Sequence, residues 1–219
     1  MEIGVFGKLP DQRDYVQHGM DPSLMSLMDP WIQQCLQRSQ EQLADAWLSA
    51  YLSAPIWRFW LGSAILGKTV LGALMPSVDG VGRYFPLMLT TVSDAPLDAP
   101  EVEPQDAWFQ AAESLLLDAL ADGGTYRALL DGLGDMPVPT PGRVEFPPVA
   151  DCKASLANLR LARQQEFYGP LSFWWAPSFG HEGAPTTSYV WRGLPSAQEY
   201  AMLLSLPVFG QPDHAARGE

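Results

Sequence analysis

Apolar positions along this chain follow two different spacings, and the change from one to the other falls at glycines and prolines. Ile3–Phe6 is a short apolar run closed by Gly7, which predicts a strand. GKLPDQRD follows as a loop, and Met20–Met28 leaves room for a helical turn. Asp29-Pro30 then offers an N-cap followed by proline at the first helical position. From there Trp31, Ile32, Cys35, Leu36, Leu43, Ala46, Trp47, Ala50 and Tyr51 recur at helical intervals. They predict a helix broken near Ser39 and ended by Pro55.

The spacing then becomes that of extended chain. Ile56–Leu61, Thr69–Met75 and Tyr84–Val92 are rich in aromatic and β-branched residues and are separated by glycine-containing turns, which predicts three strands. Their short connections predict antiparallel neighbours. APLDAPEVEP reads as a linker. Residues 104–121 return to helical spacing, with Trp108, Phe109, Ala112, Leu115, Leu116 and Leu120 on the apolar face and Gly123-Gly124 beyond the end. A short helix over Tyr126–Leu133 follows. Residues 136–150 hold five prolines and predict an extended loop, and residues 151–166 are weakly helical. Residues 171–178 and 188–192 predict strands, residues 196–206 a helix, and the last ten residues a frayed end. No internal repeat is present.

Composition places the chain among globular proteins: of 219 residues, 47% are hydrophobic and 17% charged. Most of the 8 tryptophans are expected in the core. The net charge of −12, from 25 acids against 13 bases, excludes nucleic acid as a partner, since affinity there comes from lysine and arginine on phosphates. It disfavours an anionic membrane surface in the same way. Ten acids lie between Asp94 and Asp135 against one base, Arg127, which reads as a solvated face or as a docking surface for a basic partner. Phe59–Met75 is apolar, but three glycines and Lys68 interrupt it before Pro76, short of the roughly 20 residues a spanning helix needs. With Glu2 where a secretory leader is basic, these features predict a cytoplasmic chain without membrane insertion. Cys35 and Cys152 are too few for a disulfide framework, and Cys35 is expected to be a small buried residue. His18, His181 and His214 show no metal-ligand spacing, so neither metal nor cofactor is expected.

Residues 62–69, GSAILGKT, match the G-x-x-x-x-G-K-[ST] phosphate-loop pattern in full. A working phosphate loop passes from a strand into a helix whose N-terminal amides ring the phosphates. Here Thr69 is followed by VLGALMPS, with Gly72 and Pro76, which reads as a strand. The preferred reading is a β-turn between antiparallel strands, with a nucleotide-dependent switch on Lys68 and Thr69 as the alternative. A small hydrolase around Asp14, Ser77 and Asp79 is a further alternative, although no G-x-S-x-G elbow is present.

Two other stretches concentrate charge at turns. GKLPDQRDYV (7–16) crowds Lys8, Arg13 and Asp14 around Pro10, and MPSVDGVGRYFPL (75–87) places Asp79 and Arg83 on one tight connection. An Asp79–Arg83 pair that pins the turn is preferred over a ligand site.

These stretches also carry a resemblance. GKLP with Asp14-Tyr15-Val16, PIWRFWL (55–61) with Arg58, LMPSVDGVGRYFPL (74–87), and FWW (173–175) resemble the TagF (ImpM) family of type VI secretion accessory proteins over roughly residues 3–206. The family's usual run is nearer to GKLP-x-R-G-D-F-V; here Arg13 is displaced and the glycine is absent. The resemblance implies a single three-layer α/β domain over residues 1–207, with a flexible tail over 208–219. Its sheet would be mixed, largely antiparallel, with helices on both faces. It further implies a cytoplasmic regulator rather than an enzyme, one that restrains secretion after translation. Implied partners are other components of the apparatus, notably its forkhead-associated scaffold protein. The residues carried over as an interaction or structural motif are Gly7, Lys8, Leu9, Pro10, Asp14, Arg58, Pro76, Ser77, Asp79, Gly82 and Arg83. The GSAILGKT run is not part of the family signature.

Overall fold

Alternation along the central strands divides their side chains between two separate cores. In a computed structural model, residues 2–94, 97–101, 103–141, 166–176 and 187–205 are described. Among the described residues, seven strands form one sheet: β1 (Ile3–Gly7), β2 (Val16–His18), β3 (Trp57–Leu61), β4 (Thr69–Met75), β5 (Leu87–Ser93), β6 (Leu171–Ala176) and β7 (Thr187–Arg192). Their order is β2-β1-β5-β4-β3-β6-β7. All of its pairings are antiparallel, so the expected mixed sheet is antiparallel throughout the described strands.

Phe6, Phe59, Leu61, Val70, Leu74, Met88 and Trp174 point to one face. There they meet α1 (Pro22–Leu43), α2 (Trp47–Ser53) and, beyond β7, a C-terminal helix over Ala197–Leu204. Val5, Trp60, Leu71, Ala73, Leu87, Leu89 and Phe173 point to the other, against helices over Asp106–Leu120 and Tyr126–Gly132. A single helical turn, α3 (Ser63–Leu66), joins β3 to β4. The later helices are α4 (Asp106–Leu120), α5 (Tyr126–Gly132) and α6 (Ala197–Leu204). The period-two pattern thus yields a sheet buried on both sides, the three-layer arrangement.

Several boundaries differ from expectation for identifiable reasons. Asp-Pro occurs twice, and α1 starts at the first: Asp21 accepts from the N–H groups of Ser23 and Leu24 at 2.9 and 3.1 Å. Pro30 lies inside the helix, where the burial of Leu24, Met28 and Ile32 on one stripe offsets its lost hydrogen bond. The break expected near Ser39 falls at Ala44–Ala46 instead, because Ser39 is buried in the helix and its hydroxyl accepts from the Trp47 indole at 2.9 Å. The third expected strand starts at Leu87 rather than Tyr84, because Tyr84 bridges to Val78 within the preceding turn and Pro86 has no N–H for a ladder. β2 has only three residues and one buried position, too little for a pattern. Trp47, Trp57, Trp60, Trp108 and Trp174 are buried, as expected of core tryptophans, and burial pushes the Cys35 thiol up to about 12. Residues 142–165 of the proline-rich and weakly helical stretches, Cys152, His181, His214 and the 208–219 tail lie outside the described residues.

Candidate functional site

The loop after β1 and the turn between β4 and β5 meet at one end of the sheet, because β1 and β5 are neighbours. This brings Lys8, Asp79 and Arg83 together. Asp79 is buried, and its Oδ2 lies 2.9 Å from Lys8 Nζ and 2.7 Å from Arg83 Nε. Its Oδ1 accepts from the backbone N–H groups of Val81 and Arg83 at 3.1 and 2.8 Å. Burial alone would raise the Asp79 pKa. The Arg83 amide, the Lys8 ammonium, the Arg83 guanidinium and the Val81 amide outweigh it and hold the carboxyl well below the usual carboxylate range. The expected Asp79–Arg83 pair is therefore present, and Lys8 is a second and more deeply buried partner, its side chain 6% exposed against 55% for Arg83.

The rest of the motif supports this carboxylate. Ser77 Oγ donates to the Lys8 carbonyl at 2.6 Å, tying the two loops together. The Tyr51 hydroxyl donates to the Ser77 carbonyl and accepts from the Ser77 N–H, both at 3.0 Å. The Gly80 N–H donates to the Gln12 carbonyl at 2.8 Å, and Arg83 donates to the Arg13 carbonyl. Gly7 has φ +142°, and a Cβ there would stand 2.1 Å from the Pro86 carbonyl oxygen, so only glycine lets the two loops touch. Leu9 is fully buried beneath them, whereas Pro10, Asp14, Gly82 and Arg83 form the outer surface and Pro76 is half-buried. Asp14 reaches Arg83 only at 3.6 Å with its side chain 93% exposed. Tyr15, half-exposed, stacks on Phe6 and lies under Lys8 Nζ, 5.0 Å from the ring centroid. Tyr51 and Tyr15 were absent from the sequence-derived set. Helical spacing marks Tyr51 only as an apolar position, and nothing in the sequence signals where its hydroxyl goes.

Arg58 lies apart from this cluster. It points from β3 to the α4 side, where its Nε and Nη2 donate to Glu113 at 2.6 and 2.8 Å. Nη1 reaches Asp106 at 3.4 Å, and the guanidinium lies over Phe109. Two members of the acidic run are therefore internal partners of a buried arginine.

The GSAILGKT segment makes no phosphate cradle. The expected β-turn is one helical turn, α3, and Thr69 begins β4 as expected. The Gly62 and Ala64 amides donate to the carbonyls of Leu171 and Gly169 at 2.9 and 3.0 Å, and the Ile65 amide to Gly62 at 3.0 Å. Lys68 Nζ lies 3.0 Å from Asp94 and 3.7 Å from Asp21, and the Asp94 hydrogen bond raises its pKa. Gly62 is glycine for a packing reason: a Cβ there would stand 2.3 Å from the carbonyl oxygens of Tyr168 and Gly169. Ser77 and Asp79 are likewise committed to internal bonds, and Asp14 stands in solvent.

Fold and site define a three-layer α/β protein whose charged motif ties its own loops together. Residues 4–136 match the family model described as the TagF N-terminal domain, type VI secretion system-associated. The crystal structure of PA0076 from Pseudomonas aeruginosa PAO1, at 2.05 Å resolution, is similar with a TM-score of 0.75 and 32% sequence identity. That match covers 96% of this chain and 100% of the other. A comparison with curated proteins gave no match. The chain belongs to the TagF family and is a type VI secretion accessory protein.

Proposed function

We propose that this protein is a non-enzymatic, cytoplasmic regulator that represses type VI secretion after translation, through contacts with other components of the apparatus. The forkhead-associated scaffold protein is the proposed partner. Family membership carries the reading. The geometry supports it, because the polar groups that an enzyme would turn to a substrate are turned to one another. Asp79 is saturated by two cations and two amides, and the Ser77 hydroxyl is held by a carbonyl. The outer surface of the motif, with Pro10, Tyr15, Val81 and Arg83 exposed, is proposed as a contact region held in shape by that inner bracing.

A regulator that works by occupying a partner acts in proportion to its amount. Secretion of a tube component is therefore expected to rise on deletion and fall on overexpression, with transcript levels of the apparatus unchanged. Equal secretion in deletion, wild-type and overexpressing cells would sink the repressor reading.

A further inference from the structure

Every residue from Met136 to Pro141, in the run MPVPTP, is either a proline or the residue before one. Proline fixes its own φ at about −65° and drives its predecessor to extended backbone. The run is therefore written as a polyproline II strap with about three residues per turn. The structure follows this. Met136 has φ −64° and ψ 133°. Met136 and Pro139, one turn apart, are buried, while Thr140 is exposed and Val138 is 78% exposed. Pro137, Pro139 and Pro141 have no N–H to give, so few backbone bonds can hold the strap in place.

One side chain clasps it. Gln105 Nε2 donates to the Thr140 carbonyl at 2.7 Å, and Gln105 Oε1 accepts from the Thr140 N–H at 2.8 Å. Gln105 is 5% exposed, so its amide pairs with both backbone groups of an extended residue away from water. Its backbone is left-handed, φ +55° and ψ 32°, and it is one of two non-glycine residues with positive φ among the described residues. A non-glycine residue persists there only where its surroundings fix it, and such positions cluster at ligand clamps and switches. The Gln105 carbonyl also accepts from the Trp108 and Phe109 amides, so the residue that starts α4 holds the strap as well. Beside the strap, a cavity of about 450 Å³ lies between Ile3, Thr91, Leu130 and Leu133 and the strap's own Met136 and Pro139.

We propose that the strap is an autoinhibitory contact: it occupies in cis a groove that takes an extended, uncharged, proline-rich segment of a partner protein. The strap's own seating defines that occupant. Met136 and Pro139, one turn apart, are buried, and the residue after Pro139 pairs its backbone with Gln105. If the strap left, the buried Gln105 amide would lose both partners, and a replacement must offer an N–H and a C=O from extended chain. The interior of a helix has both groups already bonded, and an apolar small molecule has neither. A polyproline II segment has them free and loses little entropy on docking. The inference rests on the reading of the protein as one that acts by contact, and it adds regulation: the groove stays shut until a segment of matching chemistry competes with the strap.

The test uses the full chain and a labelled peptide of the strap's own sequence, MPVPTP, blocked at both ends and followed by fluorescence anisotropy. Binding to the wild-type chain is expected to be weak, because the tethered strap competes at an effective concentration on the order of millimolar. Thr140→Pro keeps the extended backbone but removes the N–H that bonds to Gln105 Oε1, so the strap loosens and peptide affinity is expected to rise about tenfold. Gln105→Leu breaks the same clasp from the groove side and is expected to abolish binding. These opposite effects separate a displaceable strap from a merely structural contact, whose loss acts in one direction from either side. At saturating peptide, amide exchange read by NMR is expected to quicken about tenfold or more at Thr140 of the wild-type chain and to stay unchanged at Leu89 in β5. A peptide with proline in place of its threonine is expected to bind about tenfold weaker. That comparison leaves the protein untouched, so it holds whatever the variants do to folding. Equal binding of the two peptides, unchanged exchange at Thr140, or both variants moving affinity the same way would overturn the proposal. Concentration-dependent dimerisation of Thr140→Pro would assign the groove to a second copy's strap and overturn it too. Secretion in deletion and overexpressing cells judges the regulatory reading separately, so the two can fail independently.

Discussion

Asp79 combines near-complete burial with four donors, and this sets the sign of its pH dependence. Its carboxyl lies below the usual range in the folded chain and near 3.9 in an unfolded one, so folding favours the ionised form. The stability it contributes is fully present above about pH 4 and is lost as pH falls toward the folded value. Wild-type protein is therefore expected to melt well above Asp79→Asn at neutral pH, with the gap closing as pH drops from about 5 to about 2 in thermal denaturation. A constant gap across that range would assign the loss to shape rather than charge. Tyr51 gives a second residue-scale expectation, since one hydroxyl satisfies both backbone groups of buried Ser77. Tyr51→Phe leaves the buried Ser77 N–H without a partner and its C=O with the Phe85 N–H alone, and is expected to destabilise the fold by about 2 kcal/mol, measured by urea unfolding. A change under about 0.5 kcal/mol would mean that water or another group replaces the hydroxyl.

At the scale of elements, the joint between β3 and α4 depends on one ionic contact within an apolar layer. Arg58 is 8% exposed and holds Glu113 by two bonds, with Asp106 as a looser third partner. Arg58→Ala leaves the Glu113 carboxylate against the sheet without its cation, and a loss of about 3 kcal/mol is expected for a buried pair, less if the carboxylate turns outward. Replacing both partners, Arg58→Met with Glu113→Leu, is expected to recover most of that loss; a double variant as unstable as Arg58→Ala would show that packing, not charge, governs the joint. In the sequence, Arg58 is marked by the PIWRFWL motif and by its place as a charge inside an apolar run, but its partner 55 residues on is not. The strands were more legible: Thr69–Met75 coincides with β4 because seven buried residues in a row leave no ambiguity. The start of α1 was misplaced because two Asp-Pro pairs send the same local signal, and only tertiary burial of Leu24 and Met28 chooses between them. The GSAILGKT run misleads for a related reason, since its glycines answer to close carbonyls and a turn rather than to a phosphate.

For the whole molecule, net charge was legible in the sequence but its distribution was not. The acidic run from Asp94 to Asp135 reads as one surface, yet the fold divides it. Asp106 and Glu113 serve Arg58, Glu101 accepts from the Tyr168 hydroxyl at 3.2 Å, Asp94 pairs with Lys68, and Asp131 with Arg127. Along the outward side of α4 and just past its end, Asp118 and Asp122 remain exposed, beside Leu117 at 48% exposure. If α4 docks a basic partner, these two acids carry the attraction, and reversing others tests stability instead. Asp118→Lys with Asp122→Lys is expected to leave the melting temperature within a few degrees of wild type. It is expected to weaken binding to the scaffold protein proposed as partner at low salt, with the difference shrinking near 0.5 M salt, where exposed charges are screened within less than the 8–10 Å of physiological conditions. Glu113→Lys is expected to lower the melting temperature sharply, because it sets a second cation against Arg58. Binding by the double variant that matches wild type at low salt would remove α4 as a docking face and leave the loops around Asp79 as the proposed contact region.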